Sequence, residues 1–174
     1  ELCNYWAHGY DWRAREARLN SLPQFRATIS GLGIHFYHVR SAHPHAVPLV
    51  LTHGWPGSVV EFLNVIEPLT APELHGGDSA DAFHVICPSL PGYGFSGKPA
   101  GTGTSVEKIG RMWGQLMARL GYSRYVAQGG DWGSAISSNM AVRAPERVMA
   151  LHLNFIVGVP PNMSVRSSTP APDW

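Results

Sequence analysis

The sequence of 174 residues predicts an α/β fold, a three-layer sandwich built on a mostly parallel sheet. Short apolar runs alternate along the chain with segments of helical periodicity, which is the pattern of a parallel sheet covered by helices. A glycine-rich turn, Gly129–Gly133, joins one of these runs to a helical pattern. With 44% hydrophobic residues, the chain can form one domain or the larger part of one.

The predicted strands begin after a short helix, Trp12 to Leu19, that ends before Pro23. Six runs have the composition of strands: Phe25 to Ile29, Ile34 to Val39, Pro48 to Thr52, Phe83 to Cys87, Arg124 to Gln128 and Val148 to Phe155. The first two flank Gly31-Leu32-Gly33 and are predicted to form a hairpin at an antiparallel edge. The last four are short and apolar, as parallel strands covered on both faces are.

Three further segments have helical spacing. The spacing of Val59, Phe62, Leu63 and Ile66 predicts one helix, and residues 134–143 predict another. The clearest helix is Ser105 to Leu120, with a capping box of Thr104 and Glu107 and a C-terminal cap at Gly121. Its apolar stripe consists of Ile109, Met112, Trp113, Leu116, Met117 and Leu120. We interpret this stripe as core packing.

Asp131 is the strongest candidate for a catalytic residue. It is central to the pentapeptide Gly129–Gly133, the nucleophile turn, where a side chain at either end would collide with the neighbouring strand or helix. This sharp turn is expected to lift Asp131 above the sheet edge, although an aspartate here could also only cap the following helix. A carboxylate is ionised at neutral pH and can attack an sp3 carbon without a base, which forms an alkyl ester of the enzyme.

Hydrolysis of such an ester requires donors for the oxyanion of its tetrahedral intermediate. The segment His53–Ser58, the donor loop, follows the predicted strand Pro48 to Thr52. Hydrolases with this kind of turn place one backbone donor in that loop and the other directly after the nucleophile. The predicted donors are therefore the backbone N–H groups of Trp55 and Trp132. The alternative is that the donor loop is only a tight turn rich in turn-forming residues, with no role in catalysis.

These motifs resemble those of epoxide hydrolases, members of the α/β-hydrolase superfamily. The matching segments are Tyr10–Arg13, Leu19-Asn20, Pro23–Phe25, Gly31–Phe36, His38–Ser41, His53–Ser58, Pro88–Ser96 and Gln128–Ser134. The N-terminal ones resemble microsomal-type epoxide hydrolases and their soluble bacterial relatives. The resemblance implies that Asp131 attacks a small hydrophobic epoxide without a cofactor. The nucleophile turn alone would also fit a haloalkane dehalogenase.

The resemblance also implies catalytic residues outside this chain. Family members complete the reaction with a histidine and an acid on later loops, and with two tyrosines from a cap domain. His152 is the one histidine after Asp131, and we interpret it as a strand residue. We expect an N-terminal portion of an epoxide hydrolase, an α/β-hydrolase sandwich truncated before the cap domain and last strands. The expected parts are a meander with the first strands (1–40), the core (41–157) and a linker toward the cap (158–174). A non-catalytic remnant is the other alternative.

Composition argues against several other classes of protein. A net charge of +1 and only two lysines argue against a nucleic acid partner. The spacing of the nine histidines does not suit a metal site. Cys3 and Cys87 do not form a disulfide framework, which favours a reducing, cytoplasmic location. No membrane segment is expected, because no apolar run approaches about 20 residues. The oligomeric state stays open.

Overall fold

A computed structural model describes residues 1–155, which form a six-stranded sheet with helices on both faces. The strands are β1 (Gln24–Ile29), β2 (Leu32–Val39), β3 (Val47–Thr52), β4 (Phe83–Pro88), β5 (Tyr125–Gly129) and β6 (Val148–Leu153). The helices are α1 (Leu2–His8), α2 (Trp12–Asn20), α3 (Ile66–Thr70), α4 (Val106–Arg119) and α5 (Trp132–Arg143), with short 3-10 turns at Val59–Phe62, Pro72–His75 and Ser79–Asp81. The fold class predicted from the sequence is confirmed.

The sheet has the order β1-β2-β4-β3-β5-β6, and its two halves differ in strand direction. β1 pairs with β2 and β2 with β4 antiparallel, which confirms the predicted hairpin at an antiparallel edge. β3 pairs in parallel with both β4 and β5, and β5 pairs in parallel with β6. The carboxyl ends of β3 and β5 therefore meet at one edge, where Thr52 lies opposite Gly129.

Helices α4 and α5 cover one face of the sheet. The predicted apolar stripe of α4 packs there, with the indole of Trp113 fully buried and Met117 buried against β-strand residues such as Val50 and Ile86. On the opposite face, Leu51 and Val85 pack against Phe62 and Ile66. These two layers make the core a three-layer sandwich.

The ends of α4 confirm one predicted cap and correct the other. Ser105 caps the N-terminus, because its hydroxyl accepts a hydrogen bond from the Lys108 N–H at 3.4 Å, so the predicted capping role of Thr104 is wrong. At the C-terminus Gly121 is left-handed, with φ of 87°, and the Tyr122 N–H donates to the Met117 carbonyl at 2.9 Å. That bond closes the helix as a glycine cap should.

Two other predictions differ from the structure. The helix predicted through residues 59–66 is a 3-10 turn followed by α3, since a helix continuing through Pro68 would bring the proline ring against the carbonyl of residue 64. The last strand was expected to be covered on both faces, but only Val148 of β6 is buried. Within residues 1–155 no strand pairs with the outer edge of β6.

The described residues cover the first predicted part of the chain and nearly all of the second. The division into residues 1–40 and 41–157 stays a prediction, and the predicted linker 158–174 lies outside the described residues. α1 is not among the predicted elements; Leu2, Tyr5 and Trp6 have helical spacing, but all residues of this helix are exposed. In the part of the chain that the structure describes, no helix is both long and apolar enough to span a membrane.

Candidate active site

Asp131 lies in the nucleophile turn between β5 and α5, at the carboxyl edge of the parallel strands. Its backbone has φ of 51° and ψ of −125°, a strained conformation for a residue with a side chain. The carboxylate does not accept the capping hydrogen bond from the second or third residue of α5 that an N-cap aspartate would accept. The alternative that Asp131 only caps this helix is therefore not what the structure shows.

Close backbone contacts hold the nucleophile turn in this shape. A Cβ atom added to Gly133 would lie 2.0 Å from the Thr52 carbonyl oxygen, and one added to Gly129 would lie 2.0 Å from the Gly133 oxygen. Both distances are far below van der Waals contact, as the sequence predicted. The Ser134 hydroxyl adds a hydrogen bond to the Gly129 carbonyl at 2.7 Å.

The donor loop brings Trp55 to the nucleophile. The Trp55 N–H donates to Oδ1 of Asp131 at 2.8 Å, although the two residues are 76 positions apart in the sequence. Hydrogen bonds from the Trp132 and Trp55 N–H groups hold the pKa of Asp131 below its ordinary value. The structure thus brings together all three predicted site residues.

Gly54 makes this approach possible. A Cβ atom at position 54 would lie 2.5 Å from both Cβ and Oδ1 of Asp131. Any side chain at this buried position would therefore displace the carboxylate. The next peptide bond, Trp55-Pro56, is cis.

Glu61 is a second carboxylate of the site that the sequence interpretation missed. Burial raises its pKa, a hydrogen bond from the Gly54 N–H opposes that shift, and the negative charge of Asp131 adds to it. The pattern Ser58-x-x-Glu61 looks like a capping box, and Ser58 does cap the 3-10 turn with its hydroxyl. Because the capping-box pattern already explains Glu61, nothing further in the sequence marked this residue as part of the site.

A cleft of about 950 Å³ opens beside Asp131. Its lining is largely apolar and includes Trp55, Phe62, Val126 and Phe155, while Trp132 is not part of it. His152 also lines the cleft, from a position in β6 opposite Gln128, which confirms its interpretation as a strand residue. Among residues 1–155, no three His, Cys, Asp or Glu side chains converge on a point where they could hold a metal ion.

Comparison with known proteins places this geometry in a family. Residues 47–170 match the family model described as alpha/beta hydrolase fold. The chain belongs to the α/β-hydrolase family. Residues 1–62 of this α/β-hydrolase match a second model, described as epoxide hydrolase N terminus. Together the two matches agree with the resemblance found in the sequence.

Curated proteins similar to this α/β-hydrolase include epoxide hydrolases. A putative epoxide hydrolase of Stigmatella aurantiaca is 50% identical over 169 residues, 97% of this chain and 38% of that protein. Epoxide hydrolase 1 of Oryctolagus cuniculus is 44% identical over 89% of this chain and 35% of its own length. The chain thus spans less than half the length of these curated relatives.

Solved structures give the same grouping. The juvenile hormone epoxide hydrolase of the silkworm Bombyx mori has a TM-score of 0.83 and 41% identity, over 91% of this chain and 37% of that one. The Aspergillus niger epoxide hydrolase has a TM-score of 0.79 and 40% identity, over 91% of this chain and 41% of that one. Fold and sequence therefore both group this α/β-hydrolase with the epoxide hydrolases.

Proposed function

We propose that the enzyme containing this chain hydrolyses epoxides to vicinal diols, with Asp131 as the nucleophile. The observation that carries the proposal is the contact of the Asp131 carboxylate with the Trp55 N–H, at 2.8 Å, on a strained strand-to-helix turn. The low pKa of Asp131 keeps the carboxylate ionised at neutral pH, so that it attacks without a base.

In the first step, Oδ2 of Asp131 bonds to an epoxide carbon and the bond from that carbon to the ring oxygen breaks. The ring oxygen takes a proton from acids that we expect outside this chain. Oδ1, which already accepts from the Trp55 N–H, becomes the carbonyl oxygen of the ester.

In the second step, water attacks the ester carbonyl carbon, and a histidine that we also expect outside this chain removes a proton from the water. The negative charge then develops on Oδ1, where the N–H groups of Trp55 and Trp132 serve as oxyanion donors. Each donor of this kind contributes about 10²–10³ in rate. Collapse of the intermediate breaks the bond between the carbonyl carbon and Oδ2, Oδ2 leaves with the diol and takes the proton from the histidine, and the carboxylate is restored with an oxygen from water.

The substrate that fits this site is a small hydrophobic epoxide, because the lining of the cleft beside Asp131 is largely apolar. No cofactor takes part in the proposed reaction. Both cysteines are free thiols, which is compatible with the cytoplasmic location predicted from the sequence.

The test is a single turnover in ¹⁸O-labelled water with the complete protein that contains this chain. One product oxygen of the first turnover should come from Asp131, so the first diol carries no label and the label enters the carboxylate. Asp131→Asn should lower ester formation at least about 10³-fold. Asp81→Asn is the matched control, since Asp81 is exposed and lies outside the site.

Labelled diol in the first turnover would contradict the nucleophilic role of Asp131. A haloalkane offered in parallel separates the second candidate class, because a dehalogenase would release halide through the same turn. Halide release without diol formation would assign the chain to that class. If the complete protein forms neither diol nor halide, the non-catalytic remnant is favoured.

A further inference from the structure

The peptide bond between Gly54 and Trp55 is held from both sides. Its N–H, on Trp55, donates to Oδ1 of Asp131 at 2.8 Å. Its carbonyl, on Gly54, accepts one hydrogen bond from the Gly57 N–H at 2.9 Å and is 2.9 Å from Nδ1 of His53. Because a peptide group is planar, fixing the carbonyl also fixes the direction of the N–H.

The geometry defines which ring nitrogen of His53 carries the proton. Nε2 lies 3.0 Å from the backbone nitrogen of Leu90, and a backbone N–H can only donate. Nε2 is therefore the acceptor, and Nδ1 carries the hydrogen that it donates to the Gly54 carbonyl. The ring is fully buried and packs edge-on against Tyr93, with ring centroids 5.7 Å apart.

Burial also keeps this ring neutral. It lowers the pKa of His53 from the ordinary histidine value, and the hydrogen bond to the Gly54 carbonyl opposes the shift only in part. A protonated ring could not accept the Leu90 N–H, so the arrangement requires the neutral form. His53 thus has one tautomer, one orientation and no access to water.

We propose that His53 is a positioning residue for ester hydrolysis, which acts by holding the Gly54 carbonyl so that the Trp55 N–H points at the oxyanion. The inference rests on the proposed function, in which Asp131 forms an ester. His53 itself touches neither substrate nor Asp131 in this role. It acts through one peptide group, and Leu90 sets its tautomer.

The two chemical steps should depend on this peptide group to different extents. During ester formation, negative charge leaves the Asp131 carboxylate, so the hydrogen bond from the Trp55 N–H gives no advantage to the transition state. During ester hydrolysis, charge returns to Oδ1 and the same donor stabilises it. Loss of the orientation should therefore slow hydrolysis selectively, and the ester should accumulate.

Two substitutions of His53 separate the donor from the acceptor. The amide nitrogen of asparagine can take the place of Nδ1 and donate to the Gly54 carbonyl. The amide oxygen of glutamine can take the place of Nε2 and accept from the Leu90 N–H. Single-turnover kinetics on the complete protein should show hydrolysis about 100-fold slower in His53→Gln, with ester formation changed less than about threefold. His53→Asn should restore hydrolysis to within about tenfold of the wild type.

Equal slowing of both steps in the two variants, in parallel with their melting temperatures, would overturn the proposal in favour of a purely structural histidine. Failure of the wild-type protein to form an ester would instead refute the proposed function on which it rests. If neither variant folds, ¹⁵N spectra of the wild type decide. Both the His53 ring and the Trp55 N–H should shift when Asp131 is alkylated, and a shift of Trp55 alone would contradict the proposal.

Discussion

The nucleophile turn and the donor loop meet at Asp131 but are held in shape by different forces. The turn is fixed by sterics, because Gly129 and Gly133 leave no room for even one carbon atom. The loop is fixed by hydrogen bonds, since the Gly54 carbonyl is held by the Gly57 N–H and the His53 ring. The nucleophile turn therefore depends on the absence of side chains at two glycines, and the donor loop depends on hydrogen bonds to one carbonyl.

This difference has a consequence for how each segment responds to change. A steric constraint of backbone against backbone fails completely when a side chain is added, because backbone atoms inside a packed sheet cannot move aside. A hydrogen-bonded loop can lose one contact and keep the rest, so its failure should be graded and should affect chemistry before folding. Substitutions in the two segments can test this distinction.

The largest effect is expected from Gly133→Ala in the nucleophile turn. The added methyl group would lie 2.0 Å from the Thr52 carbonyl oxygen and 3.1 Å from that of His53, and both belong to buried backbone. We expect a loss of more than about 4 kcal/mol in the free energy of unfolding. Urea denaturation of the complete protein measures it.

Gly101→Ala is the matched control, because Gly101 is exposed and, among residues 1–155 beyond its chain neighbours, no atom lies within 4 Å of an added Cβ. It should change the free energy of unfolding by less than about 0.5 kcal/mol. A Gly133→Ala protein as stable as this control would show that the turn is more compliant than the backbone distances indicate.

The same difference explains what the sequence could and could not predict. Steric constraints leave glycines in the sequence, so the sharp turn between β5 and α5 and the place of Asp131 in it were predicted correctly. The hydrogen bonds of the donor loop depend on Leu90, which is 37 positions from His53 and contributes only its backbone. Since a backbone N–H is present at almost every residue, nothing in the sequence marks that partner.

Helix α4 and the segment after the donor loop give two smaller examples. Thr104 and Ser105 are adjacent hydroxyl residues, and Ser105 caps α4 because its backbone is the extended one at the helix start, with φ of −91° and ψ of 170°. Apolar spacing predicted a helix through residues 59–66, but spacing does not take account of Pro68. Periodicity thus located the buried faces well and the ends of elements less well.

A smaller effect, confined to chemistry, is expected from Gly54→Ala in the donor loop. The added Cβ would lie 2.5 Å from both Oδ1 and Cβ of Asp131. Rotation of the carboxylate relieves the first contact, and a small shift of the hydrogen-bonded loop relieves the second. We expect the fold to persist and the carboxylate to move, with ester formation slower by about 10²-fold or more. Mass spectrometry of the alkylated peptide at timed intervals measures the rate.

Gly110→Ala controls for the addition of a methyl group at a buried glycine away from the site, where the nearest atom is a side-chain carbon of Met140 at 3.3 Å. It should leave ester formation within about twofold of the wild-type rate. Ester formation at the wild-type rate in Gly54→Ala would mean that the carboxylate keeps its place despite the contact. The two segments would then not differ in the proposed way.

The smallest effect is a loss of stability in acid, which is caused by buried histidines. His53 of the donor loop is one of them and His38 of β2 is another, whereas the nucleophile turn contains none. Burial, with Arg40 and His84 as lesser causes, lowers the pKa of His38 from 6.5 to about 4. His38 therefore binds a proton near pH 6.5 in the unfolded chain but only near pH 4 in the folded chain. Its contribution to stability is complete above pH 6.5 and falls as the pH drops toward 4. His38 alone should account for about 2 kcal/mol between pH 7 and pH 5.

His53 adds to this loss with the same sign, because burial lowers its pKa as well. The nucleophile turn contains no histidine, so its contribution to stability should be constant over this range. Urea denaturation at pH 7 and pH 5 should therefore give a smaller difference for His38→Gln and for His53→Asn than for the wild type, whereas the exposed His8→Gln should match the wild type. If His53→Asn lost as much stability in acid as the wild type, the buried ring could not be the neutral donor that holds the loop.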